Sequence, residues 1–323
     1  MHIVRRLTMG LGLAMALGAA PALAQARKPV IALSMPQIQG VYWVSMNYGV
    51  IDEARARNID VLVANAGGFD KVSVQIQQIE NLIQKKPDVL IVGATNAEGL
   101  RGVLEGAMAK GIPVVGLGSL PEPKDKLASM IIADHYALGK LQAECLAKEL
   151  GGKGKIGVME GPPGVSWTGD RVRGFEETMA KIAPDVKTVV RKATVLGRGE
   201  GLQLMEDWLQ AYPDIAGVFT AVDEMGAGAV DALIKVRAEG RIKVSSSNLS
   251  PIGERYLRKG FIQCESIQQI VLQGREGGRQ AIAIIDGKTP KKVVATPAIL
   301  ITKDNIDKVD YTDIKAPASY RPR

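Results

Sequence analysis

Short apolar runs alternate with segments of helical periodicity along most of this chain. The first run, at 30–33, is followed by apolar positions between Trp43 and Ala54 that recur every three or four residues, and a second run follows at 61–63. The same unit then recurs. It predicts further strands at 89–92, 114–117, 130–132, 155–159, 187–190, 217–220, 242–244 and 293–294. This alternation predicts parallel sheets with helices on both faces.

The units fall into two series, separated by a helix that is predicted from Ala137 to Leu150. Each series has a length typical of one domain, about 100 to 150 residues. The predicted fold class is therefore α/β, with two doubly wound parallel-sheet lobes, followed by a polar tail. Because ligands bind outside the carboxyl ends of parallel strands, a cleft between the lobes is the expected binding site.

The first 24 residues have the pattern of a signal peptide. Arg5 and Arg6 precede a mostly apolar run, and Ala22-Leu23-Ala24 offers the small-x-small pattern that signal peptidase cleaves. The arginine pair lacks the rest of a twin-arginine signal, so general secretory export is the preferred interpretation. No later segment approaches the roughly 20 apolar residues that span a bilayer. The mature chain is therefore expected to begin at Gln25 in the periplasm.

Charge and residue usage exclude several functions. Loss of the two leader arginines would lower the formal net charge from +7 to +5, and basic residues are interspersed with acids, so no nucleic-acid partner is expected. His135 is the single histidine of the mature chain, which excludes a multi-histidine metal site and leaves no recognisable nucleophile and base pair for an enzyme.

Two further sequence features do not indicate a particular function. The segment 151–155 is rich in glycine and lysine, but Ile156 stands where a phosphate loop needs Ser or Thr, so no nucleotide cofactor is expected. Cys145 and Cys264 are either a disulfide or two buried thiols.

Two strand ends supply candidate ligand contacts. Asp223 follows the strand predicted at 217–220 and begins a helix, where it would either cap that helix or face the cleft. The loop from Gly161 to Trp167 follows the strand predicted at 155–159, so its position also faces the cleft.

Several segments resemble type I periplasmic binding proteins of the ribose and galactose class. They are KPDVLIVGA at 86–94, AKGIPVVGL at 109–117, the helix start Arg173-Gly174-Phe175, VFTAVDEMGAGA at 218–229 and ITKDNID at 301–307. The resemblance covers essentially the whole mature chain, and together these segments are specific for the fold.

The resemblance implies two lobes that close over a small ligand. It places three hinge crossings near Ile132, Gln268 and Ala295. The implied lobes are 25–132 plus 268–295, and 133–267 plus 296–323, which includes the tail.

The same resemblance implies a departure from sugar binders. Gly118 and Ser119 follow the strand at 114–117, where the family commonly has an acidic and a basic residue that grip sugar hydroxyls. Val222 and Asn248 stand where Asn and Asp are usual. Because an unpaired buried hydroxyl costs about 1 to 3 kcal/mol, these losses weigh against a pentose or hexose.

Aromatic residues offer a different ligand chemistry. Tyr42 and Trp43 follow the first strand, and Trp167 lies in the loop of the second lobe, so the three are expected to converge. Aromatic faces attract methylated cationic nitrogen, although they also stack on sugars. Trp43 also begins an apolar helical stripe, so core packing is the alternative interpretation.

Three segments resemble one branch of the family, the periplasmic sensors of trimethylamine N-oxide. They are 42–49, Ala66-Gly67-Gly68 and the Gly-Pro-Pro-Gly-x-x-Trp loop. The resemblance implies that Tyr42, Trp43 and Trp167 enclose the trimethyl group.

The polar partner of such a ligand has several candidates. Asn248 and Gln268 are possible donors to the oxide, whereas Asp223 and Glu265 would favour a quaternary amine. The implied partner is a membrane histidine kinase. The alternative is delivery of a sugar or small amine to the permease of an ABC transporter, which the fold supports equally well.

Overall fold

The computed structural model describes residues 27–162 and 166–322, so the predicted signal peptide lies outside the described residues. The strands are β1 Val30–Met35, β2 Asp60–Asn65, β3 Val89–Val92, β4 Val114–Leu117, β5 Ser129–Ala133, β6 Lys153–Glu160, β7 Asp185–Ala193, β8 Ile215–Thr220, β9 Lys243–Ser247, β10 Cys264–Gln268, β11 Val293–Thr296 and β12 Ala298–Thr302. The helices are α1 Gly40–Ala56, α2 Val72–Gln84, α3 Arg101–Ala109, α4 His135–Glu149, α5 Ser166–Ile182, α6 Arg198–Ala211, α7 Asp223–Lys235, α8 Pro251–Lys259 and α9 Ile270–Ile285.

The strands form two six-stranded sheets, one in each lobe. The order is β11-β5-β4-β3-β1-β2 in the first lobe and β12-β10-β9-β8-β6-β7 in the second. Neighbouring strands are parallel except β12, which runs antiparallel to β10. β1 is an internal strand of the first sheet, since Ile31 pairs with both Val61 of β2 and Val89 of β3. The predicted class of two doubly wound α/β lobes is confirmed.

The chain passes between the two sheets three times. The passages follow β5, β10 and β11. After the second passage, α9 packs on α1 of the first lobe. The helices approach so closely that a Cβ on Gly49 would meet the α9 backbone, and Arg275 of α9 pairs with Asp52 of α1 at 3.1 Å.

Each lobe has a core formed by apolar strands that are covered by helices. In the first lobe, successive residues of β1 face opposite sides of the sheet, so Ile31 and Leu33 belong to one cluster and Ala32 to another. This explains why the central strands have continuous apolar runs rather than alternating ones. In the second lobe, Phe175 of α5 packs on Phe219 of β8 with ring centroids 4.5 Å apart.

Three sequence-based assignments differ from the structure. Helix α8 and strand β12 were not predicted, because α8 carries few apolar residues and β12 follows β11 after a single residue, Pro297. Helix α5 begins at Ser166, so Trp167 lies in its first turn rather than in a loop. Arg173, Gly174 and Phe175 consequently lie in the middle of this helix and not at its start.

The two cysteines form a disulfide. Cys145 of α4 is joined to Cys264 of β10, which links the first helix of the second lobe to the strand that precedes the second passage. The structure therefore decides between the two alternatives that the sequence left open.

The tail after β12 contacts both lobes. Arg258 of α8 pairs with Asp307 near the start of the tail, at 2.8 Å. Further on, the Ala316 N–H donates to the Ser45 hydroxyl of α1 at 3.0 Å, and the Tyr320 ring lies 5.0 Å from that of Tyr48. Over the described ranges, no helix has the length and apolar character needed to cross a membrane.

Candidate functional site

The carboxyl ends of the strands form two walls that lie next to one another. Tyr42 stands on the first lobe and Arg171 on the second, and the two side chains interact electrostatically. Both walls are shielded from solvent, since Arg171 is 1% exposed and Trp43 is 4% exposed. A ligand in this cleft would therefore be enclosed by both lobes.

The wall of the first lobe is aromatic. Tyr42 and Trp43 lie in the first turn of α1, with ring centroids 5.2 Å apart in an edge-to-face arrangement. The Trp43 ring lies on the backbone of Gly93 at the end of β3, where a Cβ would come within 2.7 Å of it. Phe69, which is 46% exposed, extends the apolar surface with its centroid 6.0 Å from Trp43. Any larger residue than glycine at 93 would displace the indole.

The Tyr42 hydroxyl lies beside Gly118. A Cβ on Gly118 would lie 3.1 Å from the Tyr42 oxygen, and the residue has a positive φ of 69°, so glycine satisfies both demands. Burial raises the pKa of Tyr42 to about 12, an effect that the positive charge of Arg171 partly offsets. The phenol is therefore neutral near pH 7 and able to donate a hydrogen bond.

The wall of the second lobe is built on α5. Arg171 follows Trp167 by one helical turn, and its guanidinium carbon lies 4.7 Å from the Trp167 ring centroid. His135, at the start of α4, has its ring centroid 5.8 Å from that of Trp167. Burial, reinforced by the charge of Arg171, lowers the pKa of His135 to about 3, so its imidazole is neutral.

Arg171 is a buried positive charge of this wall. It donates to the Ala221 carbonyl at 2.7 Å and to the Asn248 side-chain oxygen at 3.3 Å, while its Nε has no partner in the described structure. Burial lowers the pKa of Arg171 to about 10, against the raising effects of Tyr42, Asp223 and Glu265. The guanidinium thus remains charged near pH 7, with both bonds going to neutral acceptors.

Asn248 and Gln268 lie at the ends of neighbouring strands β9 and β10. Asn248 has a backbone φ of 107°, a conformation that residues other than glycine rarely adopt. Its backbone N–H donates a hydrogen bond to the Ser266 carbonyl of β10. Strain of this kind is often found at ligand sites. Gln268 is 8% exposed, and its side-chain oxygen accepts a hydrogen bond from Gln273 at 3.3 Å.

Asp223 does not cap its own helix, contrary to one of the two sequence interpretations. It is the first helical residue of α7, and its carboxylate instead accepts a hydrogen bond from the Ser250 N–H at the start of α8. The side chain is fully buried. Asp223 therefore joins the two loops that follow β8 and β9, and the second of these loops carries Asn248.

A second buried acid lies beside Asp223. A Cβ on Gly253 would contact both the Asp223 Oδ2 and the Glu265 Oε1, so the two carboxyls pack around the same glycine. Burial, followed by interactions with Glu224, raises the pKa of Asp223 to about 8. Burial and the neighbouring Asp223 raise the pKa of Glu265 well above its usual range. The pair therefore retains protons at neutral pH.

The structure brings some of the predicted site residues together and separates others. Tyr42 and Trp43 are adjacent, but among the described residues no ring contact joins Trp167 to either of them. One face of Trp167 is covered by Arg171 instead.

Sequence reasoning missed Arg171, although a signal was present. Arg171 is four residues after Trp167 and four before Phe175, so it lies on the helix face that carries both aromatic residues. A charged residue on such a face indicates a buried functional group. No group of three or more His, Cys, Asp or Glu side chains arranged to hold a metal ion occurs within the described ranges.

Several known proteins are similar to this chain in sequence or in structure. A ribose import binding protein of Bacillus subtilis is 29% identical over 84% of this chain and 87% of its own length. A xylitol-binding protein of Mycolicibacterium smegmatis is 33% identical over 80% of this chain and 73% of its own. The crystal structure of an ABC transporter solute-binding protein from Bradyrhizobium, with bound bis-tris, has a TM-score of 0.83 and 26% identity, and the match covers 92% of this chain and 89% of that one.

The resemblance to the trimethylamine N-oxide branch is not singled out by these comparisons. The periplasmic protein TorT of Escherichia coli is 25% identical over 89% of this chain and 82% of its own length, below the identity of the ribose and xylitol binders. A family profile for the periplasmic binding protein domain matches residues 31–289. The chain therefore belongs to the periplasmic binding protein family.

Proposed function

We propose that this chain is the solute-binding component of an ABC transporter and that it closes over a small polyhydroxylated solute. The observation that carries the proposal is the pairing of the two walls, with aromatic rings on one and a buried guanidinium on the other. Rings pack on the C–H faces of polyols, and a guanidinium donates several hydrogen bonds to their oxygens. The names of the relatives, which bind ribose, xylitol and apiose, support the same class.

The residues of the cleft take distinct roles in this proposal. Trp43 and Tyr42 supply the packing surface of the first lobe. Arg171 and Asn248 supply polar contacts from the second lobe. Gln268 supplies a further polar contact from the end of β10, where the chain passes between the lobes for the second time. Asp223 positions the Asn248 loop through its bond to Ser250 rather than by contact with the solute.

In this proposal the two lobes close over the solute. The bodies proposed to move are 25–132 plus 268–295, and 133–267 plus 296–323. A solute that contacts Trp43 on one body and Arg171 on the other favours the closed form, because only that form makes both contacts. The closed form would then be recognised by the permease.

The test is thermal stability of the mature protein with xylitol, D-ribose, D-apiose and trimethylamine N-oxide. A bound solute at 100 times its Kd adds about 2.7 kcal/mol to the free energy of unfolding. We expect a stabilising shift with at least one polyol or sugar and none with the N-oxide.

A matched pair of variants locates the site. Arg171→Gln is expected to reduce the shift at a fixed solute concentration, whereas Arg173→Gln, the same change on an exposed residue of the same helix, is expected to preserve it. A polyol shift that is undiminished in Arg171→Gln would contradict the proposed site. Stabilisation by the N-oxide alone would contradict the proposed solute class.

A second candidate is a sensor that presents trimethylamine N-oxide to a membrane histidine kinase, favoured by the likeness to TorT. The N-oxide oxygen would accept from Arg171, and Trp43 and Tyr42 would contact the methyl groups. A quaternary amine is disfavoured because Arg171 already covers Trp167 with a positive charge. An N-oxide shift that is lost in Trp43→Ala would favour the ligand of this candidate over a polyol.

A further inference from the structure

The guanidinium of Arg171 is a buried charge without an ionic partner. Its two hydrogen bonds go to a backbone carbonyl and an amide oxygen, and within the described residues it forms no ion pair with a carboxylate. Residues 163–165, which precede α5 outside the described ranges, are Pro, Gly and Val and carry no charge. Buried charges are ordinarily paired, since isolation from water is costly.

The nearest acids do not supply the missing charge. Asp223 and Glu265 are both fully buried and packed around Gly253, and two adjacent carboxyls do not both ionise. No described side chain donates a hydrogen bond to Glu265, and burial raises the pKa of this carboxyl despite the lowering effect of the Leu249 backbone N–H. Neither acid forms an ion pair with Arg171 in the described structure, so the guanidinium faces Tyr42 across the cleft without a counter-ion in contact.

We propose that the natural solute carries a carboxylate beside its hydroxyl groups, as a sugar acid does, and that Arg171 binds this carboxylate. The inference rests on the proposed function, because it specifies the solute of the same cleft. Arg171 has five N–H donors, and its bonds to Ala221 and Asn248 leave the Nε donor open.

A carboxylate fits this wall better than a phosphate ester. One guanidinium balances one negative charge, and its planar fork matches a carboxylate in two parallel hydrogen bonds. The other titratable groups that interact with Arg171 are Tyr42, His135, Asp223 and Glu265, none of which adds positive charge at neutral pH. A doubly charged phosphate would leave an uncompensated charge in the closed cleft.

The experiment compares matched pairs of probes by titration calorimetry on the mature protein at pH 7. The pairs are sodium D-ribonate with D-ribose, and sodium D-xylonate with xylitol. D-xylonate and xylitol are both open chains of five carbons that differ chiefly in the carboxylate, whereas D-ribose also closes into a ring that D-ribonate lacks, so the xylonate pair is the stricter comparison. We expect at least one acid to bind about tenfold or more tightly than its neutral partner, because charge-assisted bonds to Arg171 replace neutral ones.

Variants then assign the preference to Arg171. Arg171→Gln is expected to reduce the preference to within about twofold, while Arg173→Gln keeps it. Glu265→Gln is expected to leave the preference unchanged. A large rise in acid affinity in Glu265→Gln would mean that this carboxyl had balanced the guanidinium, which would overturn the charge argument.

The outcomes separate this inference from the proposed function. If the neutral sugar or polyol binds as tightly as its acid, the inference is wrong and the transport role stands. If neither member of any pair binds, the proposed function is wrong as well. The wild-type comparison needs no variant, so it decides the question even if Arg171→Gln fails to fold.

Discussion

The two lobes share one topology but place different chemistry at the cleft. The first lobe presents Tyr42, Trp43 and Phe69, with the indole lying directly on backbone at Gly93. The second lobe presents a buried guanidinium, Arg171, with a network of neutral acceptors around it. The same βα architecture thus carries an apolar surface in one lobe and a charged surface in the other, because the N-terminal turns of the helices that follow the strands differ in residue type.

The difference extends into the cores. Strand β9 of the second lobe carries three buried serines, and Ser246 bonds Thr220 at 2.7 Å while Ser247 and Ser266 bond each other at 3.1 Å. The corresponding central strands of the first lobe, β3 and β4, contain no serine. Buried polar groups are costly unless they are satisfied, and the second lobe also holds the disulfide.

Removal of the disulfide should have the largest effect, and it should be confined to the second lobe. Cys145 and Cys264 are 119 residues apart, and a cross-link closing a loop of about 100 residues stabilises by about 4.7 kcal/mol in the chain-entropy account. Replacing both cysteines with alanine is expected to lower the free energy of unfolding by about 4 to 5 kcal/mol. The measurement is urea unfolding followed by tryptophan fluorescence, with the reduced wild-type protein as the control. Equal midpoints for the variant and the oxidised protein would contradict a stabilising role.

Truncation of Trp43 tests the first lobe in the same way. Trp43→Ala removes a side chain that is 4% exposed and packs on Gly93, so a loss of about 3 to 4 kcal/mol is expected from the lost burial and the cavity left behind. Trp43→Phe keeps most of the apolar area and should cost less. Urea unfolding of both variants checks the order. A Trp43→Ala protein as stable as the wild type would mean that the indole does not pack as described.

The buried acids predict a pH dependence that is peculiar to the second lobe. Burial raises the pKa of Asp223 from 3.8 to about 8. At a pH between these two values the carboxyl is therefore protonated in the folded state and ionised in the unfolded state. Its stabilising contribution is full below about pH 4 and is lost as pH rises to about 8, with a slope of up to about 1.4 kcal/mol per pH unit.

Asp223→Asn is expected to flatten this slope, with Asp170→Asn, on the half-exposed surface of α5, as the control. Urea unfolding at intervals from pH 4 to pH 8 measures both. A slope that is unchanged in Asp223→Asn would show that this carboxyl ionises freely in the folded protein. Glu265, whose pKa is also raised, accounts for any slope that remains.

Much of the fold was predictable, because parallel strands buried on both faces have continuous apolar runs. Strands β3 and β4 were predicted at their observed bounds for this reason. Helix α8 escaped prediction because its contacts depend on only a few apolar residues, among them Tyr256 and Leu257, and on its N-terminus at Ser250. Strand β12 escaped because only Pro297 separates it from β11, so the apolar positions of the two strands follow one another directly.

The candidate site was predictable only in part. Tyr42 and Trp43 are neighbours in sequence, so their proximity needed no structure. Arg171 was missed, and Trp167 was expected to meet the other two aromatic residues. The approach of side chains from separate elements depends on the helix start at Ser166 and on how the lobes close, and neither is encoded in a local pattern.

The sequence by itself determined the alternation of strands and helices, the division into two lobes and the aromatic character of the first wall, since each rests on periodicity or on adjacent residues. Tertiary structure alone decided that Cys145 meets Cys264, that Asp223 supports α8 rather than its own helix, and that Arg171 lies unpaired in the cleft. These facts depend on distances between residues that are 27 to 119 positions apart or on burial by several elements at once. Such distances are set by packing, because side chains of many sequences satisfy the same local pattern but only one arrangement fills the core.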